Sequence, residues 1–162
     1  MSGQEGWRRV LKAFEDWITY ESTEFGPYTG YFSLDNLSGL TSKERVGWMH
    51  SMYEETIPGR VERCRTAGVA FEDFLPYMPD PSAREVVQSM IDLIQVLSED
   101  ILGMSDTIHS MKEEYQSSGP DEIVPYLTDL GTAEENIRHH MSLFSQGFGK
   151  LRAMGLEMPD LE

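Results

Sequence analysis

The chain has 162 residues, a hydrophobic fraction of 40%, and 13 basic against 28 acidic residues, which gives a formal net charge of −15. This length predicts one domain over 1–162, and the apolar content excludes disorder of the chain as a whole. The negative charge opposes direct binding to nucleic-acid phosphates and to anionic membranes, so the sequence predicts neither partner.

The cysteine content and the apolar runs bear on the compartment. Cys64 is the single cysteine, so an internal disulfide or a thiolate metal cage is impossible. The first residues, MSGQEGWRRV, lack the apolar core of a signal peptide, and no apolar run approaches the roughly 20 residues of a membrane span. These features predict a cytoplasmic protein that does not enter a membrane.

A first amphipathic helix is predicted over 4–21, where apolar residues recur in steps of three and four. These residues are Trp7, Val10, Leu11, Phe14 and Ile18. Residues 22–40 contain Gly26, Pro27, Gly30 and Gly39, which predict a long connection rather than a helix. Since this segment also carries seven large apolar residues, we expect a structured loop that folds over the bundle.

A second helix is predicted from Thr41, which has the spacing of a capping box with Glu44. Its apolar stripe contains Val46, Met49, His50, Tyr53, Ile57, Val61 and Cys64. Pro58 predicts a kink or a break, and Gly68 predicts the end of the helix. The proline-rich stretch 69–81 then predicts an extended or turning path that covers one end of the core.

A third helix is predicted over 82–117, beginning with Ser82 and Glu85 as a second capping box. Apolar residues occupy two heptad positions along it: Val87, Ile94, Ile101, Ile108 and Tyr115, and Met90, Leu97, Met104 and Met111. Such a repeat is typical of helices that pack side by side. The last helical region, 121–154, is either one helix or two helices that meet at Gly131, and the tail from Gly155 is expected to fray.

Together these patterns predict an all-α fold, namely an up-and-down four-helix bundle with a long structured loop after the first helix. The chain contains no phosphate-binding glycine loop, nucleophile elbow, H-E-x-x-H or C-x-x-C motif. No Glu-x-x-His pair, the ligand pattern of di-iron bundles, is present either. The sequence therefore favours a protein without enzymatic activity.

Three side chains form a candidate interior site for a metal or a small ligand. His50 lies in the stripe of the second helix with Glu54 one turn later, and His140 occupies a heptad position of the last helix. Imidazole and carboxylate groups are common ligands of transition metals. The simpler alternative is that each histidine hydrogen-bonds a neighbour. We expect His140 to be largely buried, His109 and His139 to be exposed, and Cys64 to be an inert core residue.

Some apolar residues lie outside the main stripes and form a candidate interface. On the third helix they are Val86, Leu93 and Val96, and on the second helix Trp48 and Met52. Either the 22–40 loop or another chain must cover them, and a twofold dimer is the simplest arrangement for the second case.

The leading functional hypothesis is a non-enzymatic interaction or regulatory protein that binds a protein partner or itself. The first alternative is a metal- or ligand-binding bundle, with or without enzymatic activity, centred on His50 and His140. The second alternative is an acidic mimic of nucleic acid that inhibits a basic partner.

Overall fold

The computed structural model describes residues 2–155, which are helical apart from short turns and contain no strand. The α-helices are α1 (Gly3–Tyr20), α2 (Gly26–Thr29), α3 (Leu34–Ser38), α4 (Ser42–Ser51), α5 (Ile57–Phe74), α6 (Pro81–Ser118) and α7 (Val124–Ala153). Two π-helical turns, Glu21–Phe25 and Met52–Thr56, and two 3₁₀ turns, Leu75–Tyr77 and Pro120–Ile123, complete the elements. The predicted all-α class is confirmed, whereas the tail beyond Gly155 lies outside the described residues.

The four longest helices share one apolar core. Helix α1 packs along α5, α5 along α6, and α6 along α7. Aromatic rings join α1 to α7: the ring centroids of Phe14 and Phe144 are 4.7 Å apart, and those of Trp7 and Phe148 are 5.9 Å apart. Edge-to-face ring pairs of this kind add to the free energy gained by burying apolar area.

Helix α6 is the long helix that the heptad pattern predicts, and both of its apolar heptad positions are buried. Its N-cap differs from the prediction. Asp80, not Ser82, has the extended backbone of a cap, and its Oδ1 accepts a hydrogen bond from the Ala83 backbone N at 2.9 Å. Pro81 then fits the first helical position, where a backbone N–H would lack a partner in any case.

The capping box of α4 is confirmed: Thr41 Oγ1 accepts from the Glu44 N at 3.1 Å, and Glu44 Oε1 accepts from the Thr41 N at 2.9 Å.

Most of the glycine and proline breakers do not end helices. The segment after α1 continues through a π-helical turn into α2, and the predicted loop 22–40 is thus mainly helical. Helix α5 passes through Gly68 to Phe74, and the predicted proline-rich path shrinks to a 3₁₀ turn and three residues before α6. A Cβ at Gly68 would lie 3.2 Å from Ile94 Cγ2, so this glycine lets α5 and α6 approach. Of the two alternatives for 121–154, the structure shows one helix through Gly131, preceded by a 3₁₀ turn.

The π-helical turn Met52–Thr56 corrects the predicted inward face of the second helix. In a regular α-helix, Tyr53 would lie one turn before the buried Ile57 and share its face. A π-helical turn takes one more residue, so Met52 lies one wide turn before Ile57 instead, and Trp48 lies one turn before Met52. Met52 and Trp48 are indeed buried, whereas His50 is exposed and Tyr53 is half-buried. Pro58 follows this turn without breaking the chain of helices.

Candidate functional site

The three predicted ligand side chains lie apart. His50 and Glu54 are exposed, because the π-helical turn rotates them away from the core. His140 is less buried than predicted, with 30% of its side chain exposed, and its Nδ1 lies 3.3 Å from Asp100 Oδ2 on α6. His109 and His139 are exposed, as predicted.

His50 and His140 lie near different levels of helix α6. The ring centroid of Tyr53, three residues after His50, is 5.4 Å from that of His109, whereas His140 lies beside Asp100. Nine residues of α-helix separate these two points on α6, which is about 13 Å at the α-helical rise. Within residues 2–155, no group of three or more histidine, cysteine or acidic side chains could hold a metal ion.

The predicted interface residues divide into two groups. Trp48 and Met52 are buried by their own chain, which corrects the prediction that they form a surface patch. Tyr31 and Phe32, both from the 22–40 segment, each place a ring 6.0 Å from that of Trp48. The 22–40 segment therefore covers the part of α4 around Trp48 within the same chain.

In the second group, Val86 and Leu93 line an open groove between α6 and α7, whereas Val96 is not part of its lining. Val86 and Leu93 are half-buried and Val96 is 43% exposed. The groove has a volume of about 530 Å³, and its apolar lining comprises Val86, Met90, Leu93, Leu143 and Met154. Gly147 forms part of it, and a Cβ there would lie 2.8 Å from Met90 Sδ, so the small residue lets α7 approach α6. Glu85 and Lys150 contribute charges to its lining.

A buried ion cluster lies inside the core, and the sequence analysis did not identify it. Arg60 on α5 is only 1% exposed. Its Nε donates to Glu21 Oε1 at 2.8 Å, and its Nη1 and Nη2 donate to Glu134 Oε2 at 2.8 Å and Oε1 at 3.2 Å. Because Glu21 follows α1 and Glu134 lies on α7, this guanidinium ties three separate helical segments together.

Aromatic and sulfur contacts complete the surroundings of Arg60. The Phe25 ring lies below the guanidinium, with its centroid 3.9 Å from Cζ, and Met104 Sδ on α6 lies 3.4 Å from Nη1. Trp17 Nε1 donates to Glu21 Oε1 at 3.2 Å, and Arg138 Nε donates to Glu134 Oε1 at 3.1 Å. The charges of two arginines and two glutamates therefore balance, as buried ions require.

Both π-helical turns adjoin this cluster. Glu21 and Phe25 are the first and last residues of one turn, and Arg60 follows the other by four residues. Tyr20 Oη donates to the Thr56 carbonyl at 2.7 Å, which connects the two turns directly. Gly59 permits this approach, because a Cβ there would overlap the Tyr20 hydroxyl.

The cluster changes the acidity of Glu21 and lies beside the thiol of Cys64. Burial raises the pKa of Glu21 above its ordinary value of 4.5, against the opposing effect of Arg60, while Glu134 raises it further. Burial also raises the pKa of Cys64 to about 12, and its Sγ lies 3.5 Å from the Ile94 carbonyl. The predicted core position of Cys64 is confirmed, since the side chain is fully buried.

A sequence signal for the cluster exists, although it is indirect. Arg60 lies three residues after Ile57 and four before Cys64, and Glu134 lies four after Leu130 and three before Ile137. Each charged residue thus lies in line with the apolar residues of its helix, on the face that packs against the core. Charged side chains at such positions indicate buried partners, but the pairing itself joins residues 39 and 74 positions apart.

No helix among the described residues is long and apolar enough to span a membrane. No protein-family model matches the chain, and neither a curated protein nor a solved structure matches it.

Proposed function

We propose that this chain is a non-enzymatic interaction protein that associates with a second copy of itself through the α6–α7 groove. The observation that carries the proposal is the open apolar lining of that groove, to which Val86, Leu93 and Met154 contribute. Fully burying an exposed apolar side chain of this size is worth about 1.5–3 kcal/mol. Val86 and Leu93 are already half-buried, so each contributes less than this when an apolar partner surface covers it.

A four-helix, up-and-down bundle is part of this proposal. The sequential packing of α1, α5, α6 and α7 supports it. The direction of α7 relative to α6 supports it as well. Glu134 lies near the level of Met104, His140 near Asp100 and Gly147 near Met90, so the two helices run antiparallel.

We propose a closed twofold dimer, because this is the commonest arrangement among soluble homo-oligomers. The charged residues in the lining of the groove are Glu85 and Lys150. The net charge of −15 opposes association, so we expect the dimer to strengthen as salt screens the repulsion.

Sedimentation equilibrium at tens of micromolar, at low and high NaCl, tests the proposal. We expect the wild type to be dimeric and the Leu93→Glu variant to be monomeric. Leu102→Glu is the matched control, because Leu102 is a 50% exposed leucine that borders the α5 side of the same helix. It introduces the same charge and should leave the dimer intact. A monomeric wild type, or equal dissociation of both variants, would overturn self-association through this groove.

A further inference from the structure

A second concave site lies on the opposite part of the fold, where the 22–40 segment meets α4. It has a volume of about 450 Å³, and its lining includes Tyr28, Tyr31, Trp48, Glu44 and Gly47. The ring planes of Tyr31 and Trp48 meet at 67° with their centroids 6.0 Å apart. Tyr28 and Tyr31 are therefore the accessible aromatic walls of the pocket, since Trp48 is only 7% exposed.

The backbone fixes these walls before any ligand arrives. Trp48 Nε1 donates to the Tyr28 carbonyl at 3.3 Å, which sets the orientation of the indole. Asn36 Nδ2 donates to the Gly30 carbonyl at 2.8 Å and closes the turn that carries Tyr31. Such preorganisation lowers the entropic cost of binding.

Gly47 keeps the pocket open on the α4 side. A Cβ at Gly47 would meet no atom within 4 Å, so the space above this helical turn is unfilled. Glycine weakens a helix by up to about 1 kcal/mol relative to alanine, and here it exposes the pocket instead of allowing helices to approach.

The electrostatics of the pocket favour a cation. The hydrogen bond from the Thr41 backbone lowers the pKa of Glu44, which is therefore ionised at neutral pH. Its Oε1 accepts that bond, and the carboxylate borders the aromatic walls. The faces of aromatic rings carry negative potential as well, and the molecule as a whole has a net charge of −15.

We infer that this pocket binds an organic cation of the quaternary-ammonium class, with the half-buried Tyr28 and Tyr31 as its aromatic walls and Glu44 as the counter-ion. A quaternary ammonium group has methyl groups that pack against rings, and it needs no hydrogen-bond acceptor. The same chemistry occurs in free choline-like molecules and in a trimethylated lysine side chain. This site is separate from the α6–α7 groove, so its test does not depend on the proposed dimer.

Isothermal titration calorimetry with choline and tetramethylammonium tests the inference at fixed ionic strength. The decisive comparison is with 3,3-dimethylbutanol, which has the shape of choline without its charge. We expect the neutral analogue to bind about tenfold more weakly or not at all. Equal heats for choline and its neutral analogue, or no binding of any cation, would overturn the inference.

Variants locate the binding to this pocket. Gly47→Leu introduces a side chain beside the pocket from a position where a Cβ meets no atom within 4 Å, so it should lower the affinity for choline by about tenfold or more. Gly103→Leu is the control, because Gly103 lies on α6 with no atom within 4 Å of a Cβ position. Glu44→Gln should weaken binding by a smaller factor. Unchanged affinity in Gly47→Leu, with the fold verified by circular dichroism, would exclude the pocket.

Two peptides separate the possible sources of the cation. A peptide carrying trimethyllysine is titrated beside the same peptide with unmodified lysine. Tighter binding of the trimethyllysine peptide than of choline indicates a protein side chain, and the reverse indicates a free small molecule; both support the assigned chemistry. Equal binding of the two peptides contradicts it, since a primary ammonium group would then suffice.

Discussion

Arg60 shows how one charged side chain becomes acceptable in an apolar core. Two carboxylates occupy its hydrogen-bonding edge, and the Phe25 ring covers one face. Removing one partner from such a buried group typically costs about 3–5 kcal/mol, because the remaining charge has lost both solvent and counter-ion. The network therefore specifies one arrangement of α1, α5 and α7 strongly, even where its net contribution to stability is small.

Glu21 should give the stability of the protein a distinct pH dependence. The folded state holds the Glu21 proton to a higher pH than the unfolded chain does, because burial raises its pKa above 4.5. The contribution of Glu21 is thus fully present below pH 4.5 and falls as the pH rises through its raised pKa. Glu21→Gln removes a partner of Arg60 and should be less stable than the wild type, but we expect this deficit to shrink as the pH rises across the window, measured by urea unfolding at a series of pH values.

An exposed glutamate provides the control for this profile. Glu62 is 57% exposed in its side chain and pairs with Arg65 at 3.1 Å, so Glu62→Gln should show no such window. A difference between wild type and Glu21→Gln that stays constant with pH would contradict the assigned role of burial.

The pairing of residues in the ion cluster could not be predicted from the sequence, for a physical reason. Periodicity reports which face of a helix is buried, but it carries no information about which distant residue shares that space. The predicted pair His50 and His140 failed to meet because the position of His50 was inferred by assuming uninterrupted α-helical geometry in the second helix. One extra residue in the Met52–Thr56 turn is enough to move His50 to the surface.

At the scale of elements, interior heptads and short-range caps were predictable, while helix ends were not. The heptads of α6 and the Thr41–Glu44 box depend on spacing within one helix, and both are observed. Gly68 was predicted to end a helix, and a break at Gly131 was one of two alternatives, yet each glycine lies inside a helix. Packing of neighbouring helices outweighs the propensity cost of about 1 kcal/mol for a glycine.

The start of α6 offers a direct test at this scale. Asp80 is the observed cap, whereas Ser82 fits the sequence pattern equally well. We expect Asp80→Ala to lower the free energy of unfolding by about 1 kcal/mol, because the Ala83 N–H loses its acceptor. Ser82→Ala should change it by less than about 0.5 kcal/mol, as is usual for surface substitutions. Urea unfolding of both variants is the measurement, and equal losses would contradict the assignment of the cap.

For the whole molecule, charge is the dominant property. The chain carries a net charge of −15, and unfolding lets its like charges separate. Self-repulsion therefore lowers the stability of the folded state at low ionic strength. Screening shortens the reach of this repulsion from about 30 Å at 0.01 M salt to about 3 Å at 1 M.

We therefore expect the free energy of unfolding to rise with NaCl between these two concentrations, measured by thermal and urea unfolding. A variant with Glu99→Gln, Asp106→Asn and Glu135→Gln, three exposed positions, should be more stable than the wild type at low salt and respond less to added salt. If the free energy of unfolding stays level or declines with NaCl, then repulsion among the acidic side chains does not lower the stability of the folded state significantly.

The two π-helical turns also limit how the length of this chain can change during evolution. A loop tolerates the loss of a residue, but Glu21–Phe25 and Met52–Thr56 lie inside continuous helical paths. Deleting one residue from either turn would restore the regular α-helix and rotate everything beyond it by about 100°. Phe25 would then leave the guanidinium of Arg60, and Trp48 and Met52 would exchange places with surface residues. Single-residue deletions here should be selected against as strongly as the loss of a core side chain, and insertions should accumulate elsewhere.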